Sequence, residues 1–377
     1  MILPPSLFFV HLIAMTALKY IAAIIIMTAA AMAPLYFVRF PAQAETCGSE
    51  HAPAQTAPHR VRIVALGDLM QHTPQLTAAR TPRGGYDYTR SFRHVARLTR
   101  QADLAIVNLE TTLSEEGPYT GYPCFRSPAA VADAMRDMQI DLAVMANNHC
   151  CDRGGAGIRA TTRILDSRGI CRTGVFRDST DMRLNNIQYI TRNGITFAVI
   201  NYTYGTNGLP VPDGCIVNRI DTAVMARDIA AIDRNRADCI IAFMHWGNEY
   251  QRHPDATQRA AADFLRRHGV DIIIGSHPHV IQSAECDRRN GVTIYSLGNF
   301  VSNQRKRYCD GGIAATIDVE LSDDGRLSYS LHVTPLWVHT PDYAILPPEV
   351  ADTMHMAPPD RQRYELFIDD TRQLLEL

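Results

Sequence analysis

Beyond residue 60, hydrophobic positions come as short runs rich in Val, Ile and Ala, alternating with stretches in which apolar residues recur every three or four positions. The first pattern predicts buried strands and the second predicts helices. Strands are expected at 61–66, 104–107 and 142–145, each followed by a helix, around 91–100, 129–137 and 156–167. That alternation is the rhythm of βαβ units. Two apolar runs, 187–190 and 195–200, then flank Asn193-Gly194, a dipeptide that closes two-residue hairpins. Helices at 222–233 and 256–268 and strands at 239–244, 271–274 and 293–296 resume the αβ rhythm. A second hairpin, 313–321 and 327–333 around Asp323-Asp324-Gly325, precedes a final helix at 360–375. Crossovers mixed with hairpins predict an α/β fold with a central β-sandwich flanked by helices, not one doubly wound sheet.

The first 44 residues break this pattern. They hold no acid, only Lys19 and Arg39 as bases, and an apolar run from 20 to 38. Ala42-Gln43-Ala44 matches the small-x-small pattern of a signal-peptidase site, and the run is also long enough to stay in a bilayer as an anchor. Lys19 on its amino-terminal side favours an N-in orientation. On either reading the rest of the chain is exported. The expected division is a leader or anchor over 1–44, an Ala/Pro-rich linker over 45–59, a domain over 60–340 and a tail with one helix over 341–377.

Composition narrows the function. With 37 basic and 39 acidic residues among 377, the net charge is −2, and no basic block exceeds Arg305-Lys306-Arg307. No nucleic-acid partner is expected. Nine cysteines in an exported chain predict some pairing with at least one left free, while the absence of CxxC spacing argues against structural zinc. Cys239, inside an apolar strand, reads as a buried small hydrophobe.

Five predicted strand ends carry chemistry: Gly67-Asp68, Asn108-Leu109-Glu110, Asn147-Asn148-His149, His245-Trp246-Gly247 and Ser276-His277-Pro278-His279. In α/β folds, ligands bind beyond the carboxyl ends of strands. Singly, each has a plain alternative: an Asp that caps a helix, an Asn that shapes a turn, a His satisfied in the core. Together they form a mixed nitrogen and oxygen donor set without thiolate, suited to Mn, Zn or Fe rather than Ca or Mg. Such an ion lowers the pKa of bound water to about 7 and stabilises charge on a phosphoryl oxygen.

The blocks GDLMQ, VNLETTL, MANNHCCDRGGAGI, NYTYGTNGLPVP, MHWGNEY, GVDIIIGSHPHVIQ and YSLGNFV, in order over about 61–301, resemble the CapA family of capsule and poly-gamma-glutamate synthesis. The resemblance implies a calcineurin-like metallophosphoesterase fold binding one or two divalent ions. It implies Asp68 and His279 on a first ion, Glu110 bridging, Asn148, His245 and His277 on a second, and His149 as proton donor to a leaving group. Two positions depart from the superfamily pattern: Met70 stands where Asp-x-His is usual, with the nearest imidazole at His72, and Glu110 stands where Asp is usual. Tyr204, Asn207 and Glu249 are candidate substrate contacts, as Tyr202 and Arg252 are in the same blocks. Arg126 and Arg153 either clamp an anionic polymer or phosphate or are ordinary surface arginines. Ser296 and Asn299 are expected to brace the ligand loops, and Trp246 either packs or stacks on substrate.

The implied activity is that of a metal-dependent hydrolase or transferase outside the cytoplasmic membrane, acting on an anionic polymer or phosphoester beside membrane-bound capsule-synthesis proteins. A non-catalytic assembly or export factor on a degenerate phosphoesterase fold, or a general phosphoesterase, are the alternatives.

Overall fold

The computed structural model describes residues 59–376; the predicted leader or anchor, the linker up to residue 58 and Cys47 lie outside them. Two sheets dominate. In the first, Ala344–Leu346, Leu327–His339, Gly311–Leu321, His59–Leu69, Leu104–Leu109, Leu142–Val144 and Cys171–Thr173 lie side by side in that order, and Asn299–Val301 pairs with the end of His59–Leu69. In the second the order is Ala284–Asp287, Gly291–Ile294, Ile272–Ser276, Cys239–His245, Ile195–Thr203 and Gln188–Arg192.

The side-chain alternation of these strands builds the layers. Along His59–Leu69, Val61, Ile63 and Ala65 face the second sheet, whereas Val64, Leu66 and Leu69 face the helices Ala130–Asp137 and Gly154–Ser167. In the second sheet, Cys239, Ile241 and Phe243 enter the same inter-sheet core, while Ile240, Ala242 and Met244 pack under Thr222–Ala230 and Ala256–Arg267. Strands buried on both faces appear as continuous apolar runs, as the parallel crossovers require. The result is the expected α/β sandwich, four layers deep: helices, sheet, sheet, helices.

Local signals operate where expected. Asn193 and Gly194 both take positive φ, +47° and +83°, and turn the hairpin. Asp221 caps Thr222–Ala230, and Asp255 forms a capping box with Gln258 at the start of Ala256–Arg267. The helix expected over 91–100 is instead two short ones, Thr89–Phe92 and Ala96–Arg100, interrupted where His94 and Val95 are weak helix formers. The final helix, Pro358–Leu375, does not trail away from the domain. Tyr364, Phe367 and Ile368 enter the inter-sheet core, and Asp370 pairs with Arg307.

The expected cysteine pairing is absent: all eight cysteines among the described residues are free, and Cys150 and Cys151 hold their sulfurs 3.8 Å apart. Cys171 and Cys286 are exposed at the edges of different sheets, which keeps them apart, and Cys239 is fully buried in its strand as expected. No helix among the described residues is long and apolar enough to cross a membrane.

Candidate metal centre

Asp68 ends the strand His59–Leu69 in register with Asn108 on one side and Asn299 on the other. Gly67 makes this possible: a Cβ there would lie 2.0 Å from the Gly298 carbonyl oxygen, the same oxygen that accepts the Asp68 backbone N–H at 3.0 Å. Asp68 Oδ1 accepts from Asn108 Nδ2 at 2.8 Å, and its Oδ2 lies 3.0 Å from His279 Nδ1. Glu110, fully buried one residue beyond Leu104–Leu109, reaches between the sheets, with Oε1 3.8 Å from His245 Nε2 and 3.7 Å from His279 Nε2. Asn148 Oδ1 sits 2.8 Å from His245 Nε2. The first sheet therefore presents two carboxylates and an amide, and the second presents three imidazoles.

Three groups of donors converge closely enough to hold an ion: Asp68, Glu110 and His279; Glu110, His245 and His277; and Glu249, His277 and His279. Ligands about 2.1 Å from one ion lie roughly 3 to 3.5 Å from each other, so spacings of 3.0 to 3.8 Å suit shared coordination. Glu110 belongs to two of the groups, as a bridging ligand would. Its Oε1 and His277 Nδ1 are buried without a hydrogen-bond partner, an arrangement that is costly unless something else satisfies them. His277 and His279 both take positive φ, +97° and +57°, which is strained for side chains of this size and is typical of residues held for function.

The electrostatics agree. Burial, followed by the imidazoles of His279 and His149, pushes His277 down to about 3, and burial with His277 and His279 alongside holds His245 well below the usual imidazole value. Both rings are neutral and keep a lone pair for an ion. Burial, then the Asp68 carboxylate, holds Glu110 well above the carboxylate range, a penalty that a bound cation would cancel. The residues fit a divalent transition ion.

His149 lies at the edge of this cluster. Its Nδ1 donates to Asp152 Oδ2 at 2.9 Å, and Asp152 Oδ2 also accepts the Phe125 backbone N–H at 2.7 Å. With Nδ1 held, Nε2 is the working nitrogen, 3.5 Å from Asn207 Nδ2. Asp152 was not anticipated; its only sequence signal is the three-residue spacing after His149. Asn108, which touches Asp68, Glu110 and His245, was likewise seen only as part of a strand-end block.

Tyr204 lies across the opening, its ring 4.5 Å from that of His277, and its hydroxyl donates to Asn207 Oδ1 at 3.4 Å. Burial, with Glu249 and Glu110 nearby, pushes its phenol up to about 12. Asn299 braces His279 through Nδ1 at 3.1 Å, and Ser296 Oγ accepts the Gly298 N–H.

Several residues expected at the substrate are placed elsewhere. Arg126 donates to Ser114, and Arg153 donates to Thr120 Oγ1 and the Cys124 carbonyl, so both secure the 115–126 loop instead of facing the donors. Arg252 donates to the Asp370 carbonyl of the last helix, and Tyr202 is buried against Asp228. Trp246 packs, donating to the Tyr295 carbonyl. His72 does not replace the imidazole missing at position 70: it lies 3.2 Å from Gln75 Oε1 and accepts the Asn303 N–H, and burial lowers it to about 4. Met70 itself is buried.

The family model described as bacterial capsule synthesis protein PGA_cap matches residues 62–304, more than half of the chain. The chain belongs to this bacterial capsule synthesis family. Within the family it is similar to the capsule biosynthesis protein CapA of Bacillus anthracis, 27% identical over 74% of this chain and 67% of that one. It is also similar to the PGA biosynthesis protein CapA of Bacillus subtilis, 26% identical over 66% of this chain and 65% of that one. This family member spans about two thirds of the length of those relatives. Among solved structures it resembles the 5′-nucleotidase of Candida albicans, with 14% identity, coverage of 86% of this chain and 60% of that one, and a TM-score of 0.42, a likeness too distant to carry a function.

Proposed function

We propose that this family member is exported and acts in the assembly of a capsule or surface polymer of poly-gamma-glutamate type, as a metal-dependent phosphoesterase-like hydrolase or transferase. One observation carries the reading: Glu110 is shared by two donor groups that join the two sheets, with its free oxygen buried and unpartnered. A divalent Mn, Zn or Fe ion bound there would polarise a phosphoryl oxygen and lower the pKa of an attacking water. The protein's own residues do the rest. Asp68, Glu110, Asn148, His245, His277 and His279 would hold the ion, one or two in number. The Asp152-oriented His149 holds a proton at Nε2 for the leaving group, and Asn207 and Tyr204 line the approach. An anionic polymer or phosphoester is the substrate class, and membrane-bound capsule-synthesis proteins are the fitting partners.

Elemental analysis of the purified protein tests this reading. Bound transition metal that disappears in His277→Ala, together with loss of surface polymer in cells carrying that variant, is expected. Metal-free protein with unchanged polymer would refute it. One observation favours a second reading, a non-catalytic assembly factor: Met70 gives the first donor group one ligand fewer than the usual motif. Full polymer production by a His149→Ala variant that still binds metal would select that reading.

A further inference from the structure

Glu249 lies four residues beyond the end of the strand Cys239–His245 and is exposed, yet its carboxylate converges with His277 and His279 in one donor group. The chain is built to hold it there. Gly247 takes φ +78° and turns the backbone after Trp246. The Tyr250 N–H then donates to the Pro278 carbonyl at 2.8 Å, and Gln282 Nε2 donates to the Gln251 carbonyl at 2.8 Å. These two bonds strap residues 250 and 251 along the segment from His277 to Gln282, so the position of Glu249 follows from backbone bonding on its carboxyl side.

The donor set lacks the imidazole that the superfamily motif carries at position 70. Met70 follows the strand His59–Leu69 at that position, and its thioether is a soft ligand poorly matched to an oxygen-rich site. His72 Nδ1 accepts the Asn303 N–H, and His72 belongs to none of the three donor groups. Buried His277 Nδ1 has no partner within the protein. We propose that Glu249 is a metal ligand, supplying from the His277–His279 side the donor that Met70 cannot. The inference rests on the metal-dependent reading above and adds a ligand to it. A carboxylate in place of an imidazole would also add a negative charge directly beside the ion, lowering the centre's attraction for anionic substrate and favouring Mn2+ or Fe2+ over softer ions.

Mn2+ titration of the full chain, followed by electron paramagnetic resonance of the free ion, tests the proposal without any assay of activity. Glu249→Gln is expected to weaken Mn2+ binding at least about tenfold, and adding Met70→His to that variant is expected to restore it. Wild-type affinity in Glu249→Gln, or a loss that Met70→His leaves uncorrected, overturns the assignment. Failure of the wild-type chain to bind Mn2+ at all would instead refute the metal-dependent reading, so the two failures are distinct. Thermal melts of the metal-free variants check folding, which the exposed Glu249 side chain does not support.

Discussion

Without a bound ion, the site withholds stability at acid pH. In the metal-free protein, His277 stays neutral down to about 3, whereas in the unfolded chain it takes up a proton below 6.5. A neutral folded imidazole competes with a protonated unfolded one, so its contribution is complete above 6.5 and lost progressively as the pH falls towards 3. At 1.36 kcal/mol per pH unit, the full effect is about 5 kcal/mol, and about 2 kcal/mol of it is lost between pH 7.5 and pH 5. The perturbation is His277→Gln, which cannot titrate. Urea unfolding of chelator-treated protein at these two pH values should show the wild type losing about 2 kcal/mol more than the variant. Glu110, displaced upward, acts in the opposite sense, losing stability as pH rises above its unfolded value; it is present in both chains and cancels in the comparison. Equal pH dependence in the two proteins would refute the reasoning.

Three other outcomes follow from the contacts. Asp152→Asn should leave metal content unchanged but reduce turnover by about 10² to 10⁴, because Nδ1 of His149 loses the carboxylate that orients it; steady-state kinetics on a phosphodiester would detect this. Phe243→Ala, in the fully buried inter-sheet core, should cost about 3 to 5 kcal/mol in urea unfolding. Arg153→Ala should free the 115–126 loop and speed its proteolysis without changing Mn2+ affinity, as limited digestion and titration would report.

The converging donor side chains were legible because each follows directly from a strand. Asp68, His245 and His277 need only the end of an apolar run, and the order of the blocks does the rest. What was not legible depends on chain segments folding back. Glu249 is brought to His277 by a backbone bond from Tyr250 to Pro278, which no spacing announces. Arg153 begins the helix Gly154–Ser167 and resembles a free phosphate clamp until the 115–126 loop closes over it. The edge strand Ala344–Leu346 and the strand Asn299–Val301 are three residues each, too short for a period to register. Likewise, the last helix has a recognisable pattern, but the sheet that receives Phe367 is defined only by the assembled fold.

The donors are divided between the two sheets and run from Asp68 to His279, so no short stretch of the chain holds a complete set. A chain still extended, or with only its first sheet formed, has nothing with which to capture an ion selectively. An ion bound there would be captured only once both sheets have formed, in whichever compartment they meet. Which ion such a site would take would then depend on what that compartment offers as much as on intrinsic affinity, which on its own would always prefer copper.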